Sequence, residues 1–322
     1  MIVSPFLSAV GDSDDAQAGD AQAGTFVGVY DGHNGAFAAE HAANNLHVLL
    51  AADPLLRCVP GAAEEQAMPR AAGDAASARA APAAGSDGAV ADALVRAFLA
   101  VDSQILVASA AGGTREGATA LVALRIGDAL YTAHAGDSRG VAAVGARAVR
   151  LTRDHTPACA HEAARVRSRG GQLEFAGCWR VVAPPPRGPP RPRAALAVTR
   201  ALGDLSFKHP TPCVPLPHRL RCPRAEPAPP RSVITAQPDV GRLELNPDVS
   251  FVVLATDGLW DVLTDQDAVD IGLAALTARR RAGGGGVATE RTARALATTL
   301  VNTALQRGSS DNVTAIVLLP QW

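Results

Sequence analysis

Four aspartates stand where their side chains could meet around a cation. Asp31 follows the run TFVGVY, Asp137 follows ALYTAHAG and Asp257 follows SFVVLAT, so each stands just past the C-terminal end of a β-rich run. Asp311 does the opposite and precedes VTAIVLL. If that last run is a strand antiparallel to its neighbours, its start lies beside their ends, and all four carboxylates converge on one edge of the sheets. Clustered carboxylates repel, each disfavouring ionisation of the next, and a divalent cation relieves the repulsion directly. Oxygen ligands without clustered His or Cys favour a hard ion, magnesium or manganese ahead of zinc. Two such ions about 3.5–4 Å apart activate a bridging water and neutralise a transferred phosphoryl group. The bridging ligand must reach both, and Asp31 is the candidate. Gly32 beside it lets backbone and metal approach closely and offers its carbonyl as a further ligand. Taken singly, each aspartate also has an ordinary reading as a turn or cap residue. Four at a common edge favour the cation.

Holding them there requires strands. The strand candidates are Ile2 to Leu7, Thr25 to Tyr30, Ala118 to Ile126, Ala129 to His134, Gly140 to Val144, Ala148 to Leu151, Ala195 to Thr199, Val240 to Leu245, Phe251 to Ala255 and Val313 to Leu319. Helical patterns cover Ala36 to Leu50, Val90 to Ala108, Pro157 to Arg169, Asp265 to Arg281 and Thr289 to Gln306. Strands follow one another without intervening helices in the middle of the chain, which predicts antiparallel pairing. The expected fold is α+β: two packed antiparallel sheets flanked by helices, a four-layer sandwich. Gly11 to Gly24, Ala51 to Gly88, Pro184 to Arg193, Pro210 to Pro230 and Gly283 to Gly286 read as loops or insertions. The Pro/Arg tracts could serve as polyproline ligands, and drifted loop insertions are the preferred reading.

Composition narrows the class. With 322 residues and 48% hydrophobic residues, the chain can bury a substantial core. Lys+Arg 30 against Asp+Glu 31 leaves a net charge of -1, which argues against a nucleic-acid binder. Five cysteines without a C-x-x-C suit a reduced intracellular protein, in cytoplasm or nucleus. No apolar run reaches about 18 residues, so no membrane span is expected.

Seven segments carry a resemblance: VYDGHNG (Val29 to Gly35), GATA (Gly117 to Ala120), AGDSRG (Ala135 to Gly140), LTRDHTP (Leu151 to Pro157), VTRALGD (Val198 to Asp204), ATDGLWDVL (Ala255 to Leu263) and SSDNVTAIVL (Ser309 to Leu318). In this order they resemble the motifs of type 2C protein phosphatases. The resemblance implies dephosphorylation of phosphoserine and phosphothreonine in protein substrates by a monomer using two Mg²⁺ or Mn²⁺ ions. Carried over by motif, Asp31 resembles the bridging ligand and Gly32 the carbonyl ligand. Asp257 and Asp311 resemble the carboxylates of the first metal site, and Asp137 a ligand of a weaker third ion shared with Asp257. His33 matches the general acid for the leaving alkoxide, beside its alternative as a turn histidine. For Asp261, a turn role stands equally beside metal contact; Arg139 and Arg200 read as salt-bridge residues. The segment from Ala160 to Leu196 resembles the flap beside the active site.

One departure matters. Family members carry, ahead of the strand that resembles Ile2 to Leu7, an arginine that grips the phosphate and an acidic pair that supports the second metal. Asp12, Asp14, Asp15 and Asp20 follow that strand instead and do not inherit the role. The expectation is therefore a single domain over residues 1–322, N-terminally incomplete, with insertions near 51–88, 184–193 and 210–230. Its rival is a pseudophosphatase that keeps the fold and some metal and acts as a binding or regulatory module.

Overall fold

A computed structural model describes residues 2–6, 24–57, 86–183, 193–208, 232–281 and 290–320. In chain order its first elements are β1 (Ile2–Phe6), β2 (Gly24–His33), α1 (Phe37–Ala51), α2 (Pro54–Arg57), α3 (Ser86–Gly112), β3 (Gly117–Ile126), β4 (Ala129–Ala135), β5 (Arg139–Val144) and β6 (Arg147–Arg150). There follow α4 (Ala160–Ser168), β7 (Gln172–Ala176), β8 (Cys178–Val182), β9 (Ala195–Leu196) and β10 (Leu202–Gly203). The chain continues through β11 (Asp239–Glu244), β12 (Val249–Ala255), α5 (Asp257–Trp260), α6 (Asp265–Arg281), α7 (Glu290–Gln306) and β13 (Ala315–Leu318). One sheet runs β1-β2-β3-β4-β11 with β10 added beside β3, a second runs β13-β12-β5-β6, and β7-β8-β9 form a small third. All pairings between these strands are antiparallel.

Side-chain alternation along the strands explains the layering. In β3, Ala118, Ala120, Val122 and Leu124 join a core with α1 and α3, while Leu121 and Ala123 join another core with Val252 and Leu254 of β12. In β12 the opposite set, Phe251, Val253 and Ala255, packs with Leu296 and Leu300 of α7 and Val269 of α6. The elements thus stack as helices, sheet, sheet, helices, with an apolar cluster at each of the three junctions. The helices turn matching faces inward: Ala38, Ala42, Leu46 and Leu50 of α1 are buried at steps of four residues. Within α3, Asp87–Gly112 is long and apolar enough to cross a membrane by length and hydropathy. Its buried Val90, Leu94, Phe98, Val101 and Ile105 instead form a stripe on the first core.

Several boundaries move from their sequence-based positions. Pro54–Arg57 is helical and α3 begins at Ser86, so the Ala51 to Gly88 stretch is not all loop; residues 58–85 lie outside the described residues. The other expected insertions, at 184–193 and 210–230, and the tracts 11–24 and 283–286 lie wholly or mostly outside them too. Strand β2 runs through Asp31 to His33 because β3 continues to pair with it as far as Gly117. Strand β9 stops at Leu196, since Thr199 and Arg200 turn to bond Glu162. The hairpin β7–β8 was not expected, and with α4 and β9 it forms the flap-like segment around its own core of Val166, Val181 and Val233.

Helix α6 starts in a reciprocal cap. Thr264 Oγ1 accepts the Asp267 N–H at 3.1 Å, and Asp267 Oδ2 accepts the Thr264 N–H at 2.9 Å. Thr264→Ala is expected to destabilise the protein by about 1 kcal/mol, read as a lower urea midpoint at constant slope. An unchanged midpoint would mean that solvent serves the freed N–H groups equally well.

Candidate metal centre

Asp31, Gly32 and His33 occupy the end of β2, facing Thr119, Ala118 and Gly117 of β3 in register. The chain then turns sharply through Asn34 at φ 60 and Gly35 at φ 144. Phe37 N–H at the start of α1 donates to Glu116 Oε2 at 2.7 Å, which fixes where the turn lands. A Cβ on Gly32 would lie 2.9 Å from the Gly35 carbonyl oxygen and 3.2 Å from Ala39 Cβ. The missing side chain therefore makes room for the turn into α1, a packing reason that the sequence did not reveal.

The other carboxylates arrive from the second sheet and from the end of β4. Asp137 follows β4 after Gly136, whose φ is +120 and whose Cβ would strike Thr119 at 2.5 Å. Thr119 and Ser138 share a buried hydroxyl hydrogen bond of 2.8 Å, tying the neighbour of Asp31 to that of Asp137. Asp257 opens α5 directly after β12, and Asp311 precedes β13, the antiparallel partner of β12. The loop before β13 lies directly on α5: Ser309 Oγ donates to the Gly258 carbonyl at 2.6 Å, and a Cβ on Gly258 would lie 2.4 Å from the Asn312 carbonyl oxygen.

These aspartates feel one another. Burial, then the Asp257 charge, push the Asp137 carboxyl up to about 7. Burial, then Asp31, Asp261 and Asp311, push Asp257 up to about 6. Asp31 is raised by burial and Asp311, partly offset by His33 and a hydrogen bond with Asp257. Asp261, at the end of α5, is raised by burial and by Asp311. All four sequence-predicted carboxylates thus meet, and Asp261 and Thr119 stand among them. Thr119 was visible in the GATA segment without a role.

Asp257 Oδ1 is buried and has no hydrogen-bond partner among the described residues. An orphaned carboxylate oxygen amid mutually repelling carboxylates is costly, and a hard divalent cation is the partner that oxygen-only donors accept. The residues present therefore fit Mg²⁺ or Mn²⁺.

His33 lies beside this cluster, and its Nε2 is 2.8 Å from both carboxylate oxygens of Asp204, which follows β10. Nothing in residue spacing pointed to Asp204; the signal was its place at the end of VTRALGD. Arg139 bonds Asp154 and Asp265 and lies 5.2 Å over the Trp260 ring, while Arg200 bonds Glu162 and Asp239. Burial alone would raise the Glu162 carboxyl, but hydrogen bonds from Arg200, Arg165 and Thr199 hold it well below the usual range.

A second set of donors, from His134, His155 and Asp239, comes within 4.8 Å. The two rings stack at 4.3 Å, and both His155 nitrogens and His134 Nε2 are hydrogen-bonded. His134 Nε2 donates to the Arg153 carbonyl at 2.8 Å, Gly136 N–H donates to His155 Nδ1 at 3.3 Å, and His155 Nε2 donates to Asp239 at 3.1 Å. Arg200 holds the other Asp239 oxygen at 2.6 Å, and its positive charge opposes a cation there. Burial pulls His134 down to about 4 and lowers His155, so burial favours the neutral form of both rings. This trio is structural.

Residues 6–313 match the sequence model of the family described as Protein phosphatase 2C. The chain is similar to "Probable protein phosphatase 2C 59" of Oryza sativa subsp. japonica, at 29% identity over 90% of this chain and 65% of that protein. It is also similar to "Probable protein phosphatase 2C 11" of Arabidopsis thaliana, at 30% identity over 91% of this chain. There it spans 57% of the relative's length. Among solved structures, that of a serine-threonine phosphatase 2C from Toxoplasma gondii superposes with a TM-score of 0.65 at 22% identity, covering 92% of this chain and 84% of the other. That likeness speaks for the shared antiparallel α+β architecture. With the family pattern matched along most of its length, the chain belongs to the protein phosphatase 2C family.

Proposed function

We propose that this chain hydrolyses phosphoserine and phosphothreonine esters in proteins by a metal-dependent route. The observation that carries the reading is the meeting of Asp31, Asp137, Asp257 and Asp311 around a buried, unpartnered Asp257 Oδ1. Asp31, the Gly32 carbonyl, Asp257 and Asp311 would hold two Mg²⁺ or Mn²⁺ ions, and Asp137 with Asp257 a third. When bound, such ions neutralise phosphoryl oxygens and acidify water at neutral pH. His33, at the rim of the cluster, then gives a proton to the departing serine or threonine oxygen. Thr119, bonded to Ser138 and paired with Asp31, keeps the two sides of the cluster in register.

The test is hydrolysis of a phosphothreonine peptide by the purified chain with added Mn²⁺ or Mg²⁺, with and without a chelator. Turnover that requires the cation supports the reading. Turnover that survives chelation would refute it, and a folded chain that binds cation without turnover would favour a regulatory pseudophosphatase.

A further inference from the structure

We propose that Asp204 is a positioning residue for His33, holding one ring nitrogen so that the other is available for proton delivery; this rests on the phosphatase reading above. Both Asp204 oxygens lie 2.8 Å from His33 Nε2. The Asp204 side chain is 1% exposed and that of His33 24%, so the ring is gripped on its buried side and open on the other. A carboxylate offers only acceptors, so Nε2 bears the hydrogen and Nδ1 is the nitrogen left for a leaving group.

The surroundings are built around this contact. Asp204 sits at φ 59, a left-handed conformation that a side-chain-bearing residue adopts at a cost. The Asp204 N–H donates to the Glu116 carbonyl at 2.9 Å, and the Asp204 carbonyl accepts the Phe207 N–H at 2.9 Å. The preceding Gly203 N–H donates to Asp102 Oδ1 at 2.7 Å, and Lys208 Nζ reaches the same oxygen at 2.5 Å. Across the sheet, a Cβ on Gly117 would lie 2.2 Å from Asp204 Oδ2 and 2.4 Å from His33 Nε2. Only glycine there leaves space for the two side chains to meet. Glu116 contributes twice: its carbonyl fixes Asp204, and its carboxylate caps α1 just after His33.

The proton step balances simply. The phosphorus–oxygen bond to serine or threonine breaks as the bond to the water oxygen forms, and the proton passes from Nδ1 of the doubly protonated His33 ring to the departing oxygen; the ring is left neutral and takes a proton back from solvent at Nδ1. Nε2–H stays on Asp204 throughout. An alkoxide needs that proton, whereas nitrophenolate leaves as a stable anion without it.

Asp204→Asn is the informative substitution, because asparagine tolerates the left-handed backbone and removes only the charge and one acceptor. Parent, Asp204→Asn, His33→Gln and the double variant are compared on a phosphothreonine peptide and on p-nitrophenyl phosphate, with Mn²⁺. Asp204→Asn is expected to lower kcat on the peptide by about tenfold or more, a fraction of what a general acid contributes. It should leave p-nitrophenyl phosphate within about twofold and add nothing in the His33→Gln background. Equal losses on both substrates, no loss on the peptide, or full additivity with His33→Gln would overturn the assignment. A parent inactive on both substrates would sink the phosphatase reading instead. The ¹⁵N shifts of the His33 ring at fixed pH then decide the Asp204 contact alone. A fixed Nε2–H tautomer that becomes a mixture in Asp204→Asn supports it, and an unchanged tautomer overturns it.

Discussion

Asp257→Asn is expected to lower cation-dependent hydrolysis of a phosphothreonine peptide by about two orders of magnitude or more. Asp257 stands at the centre of the carboxylates: its charge raises Asp137, and Asp31, Asp261 and Asp311 raise Asp257 in turn. An asparagine oxygen can still touch a cation but brings no charge. Metal-assisted transition-state stabilisation is worth several kcal/mol, and each factor of ten in rate takes about 1.4 kcal/mol. In the role proposed for Asp257, weakening one shared ligand costs at least two such factors. The same change removes a buried, repelled charge, so the variant stripped of metal should melt at a higher temperature than the parent. Lower activity with raised metal-free stability marks a charge kept for function. Activity at the parental level in Asp257→Asn would rule out a role for this carboxylate.

The second large effect concerns pH and Asp137. Its folded pKa, pushed up to about 7 by burial and then by the Asp257 charge, lies well above the ordinary carboxylate range. The proton it takes up in the folded state therefore adds stability that is complete below about pH 4 and is lost as pH rises through 7. Asp137→Asn never ionises and escapes the loss. In chelator, the variant should exceed the parent most at pH 8, by about 2 kcal/mol once the amide's own burial is discounted, and the gap should close towards pH 4. The parent's own profile is less informative. Buried His134 and His155, with lowered values, lose stability as pH falls through the same range, and the two trends oppose each other. The difference between variant and parent cancels the histidines. Saturating Mg²⁺ should shrink the gap at pH 8 by stabilising only the parent's full charge. A gap independent of pH would mean that Asp137 is not repelled in the fold.

Much of the layering was legible because strands covered on both faces are apolar at every position, as in Phe251 to Ala255, whose side chains alternate between two cores. The hairpin β7–β8 escaped notice because it buries little: Gln172, Glu174, Phe175 and Ala176 are all exposed, so no alternation appears. Helix α5 is four residues long, and DGLW reads equally well as a turn. At the site, four carboxylates were readable because each borders a strand. Asp204 was not, because its meaning lies in a contact with His33 across the sheet that neither stretch of sequence announces. Only the register of β3, which puts Gly117 opposite His33, opens the space between them.

The position of β13 has a consequence for how the protein comes to life during translation. Strands β2, β3 and β4 lie early in the chain and pair with their neighbours, so the first sheet can assemble while later residues are still being added. Asp31 and Asp137 are then already in place, but Asp311 follows more than 170 residues later and is seated only when β13 docks on β12. A ribosome-bound chain therefore presents half a cradle. The carboxylate cluster is completed only when the second sheet closes, β13 against β12.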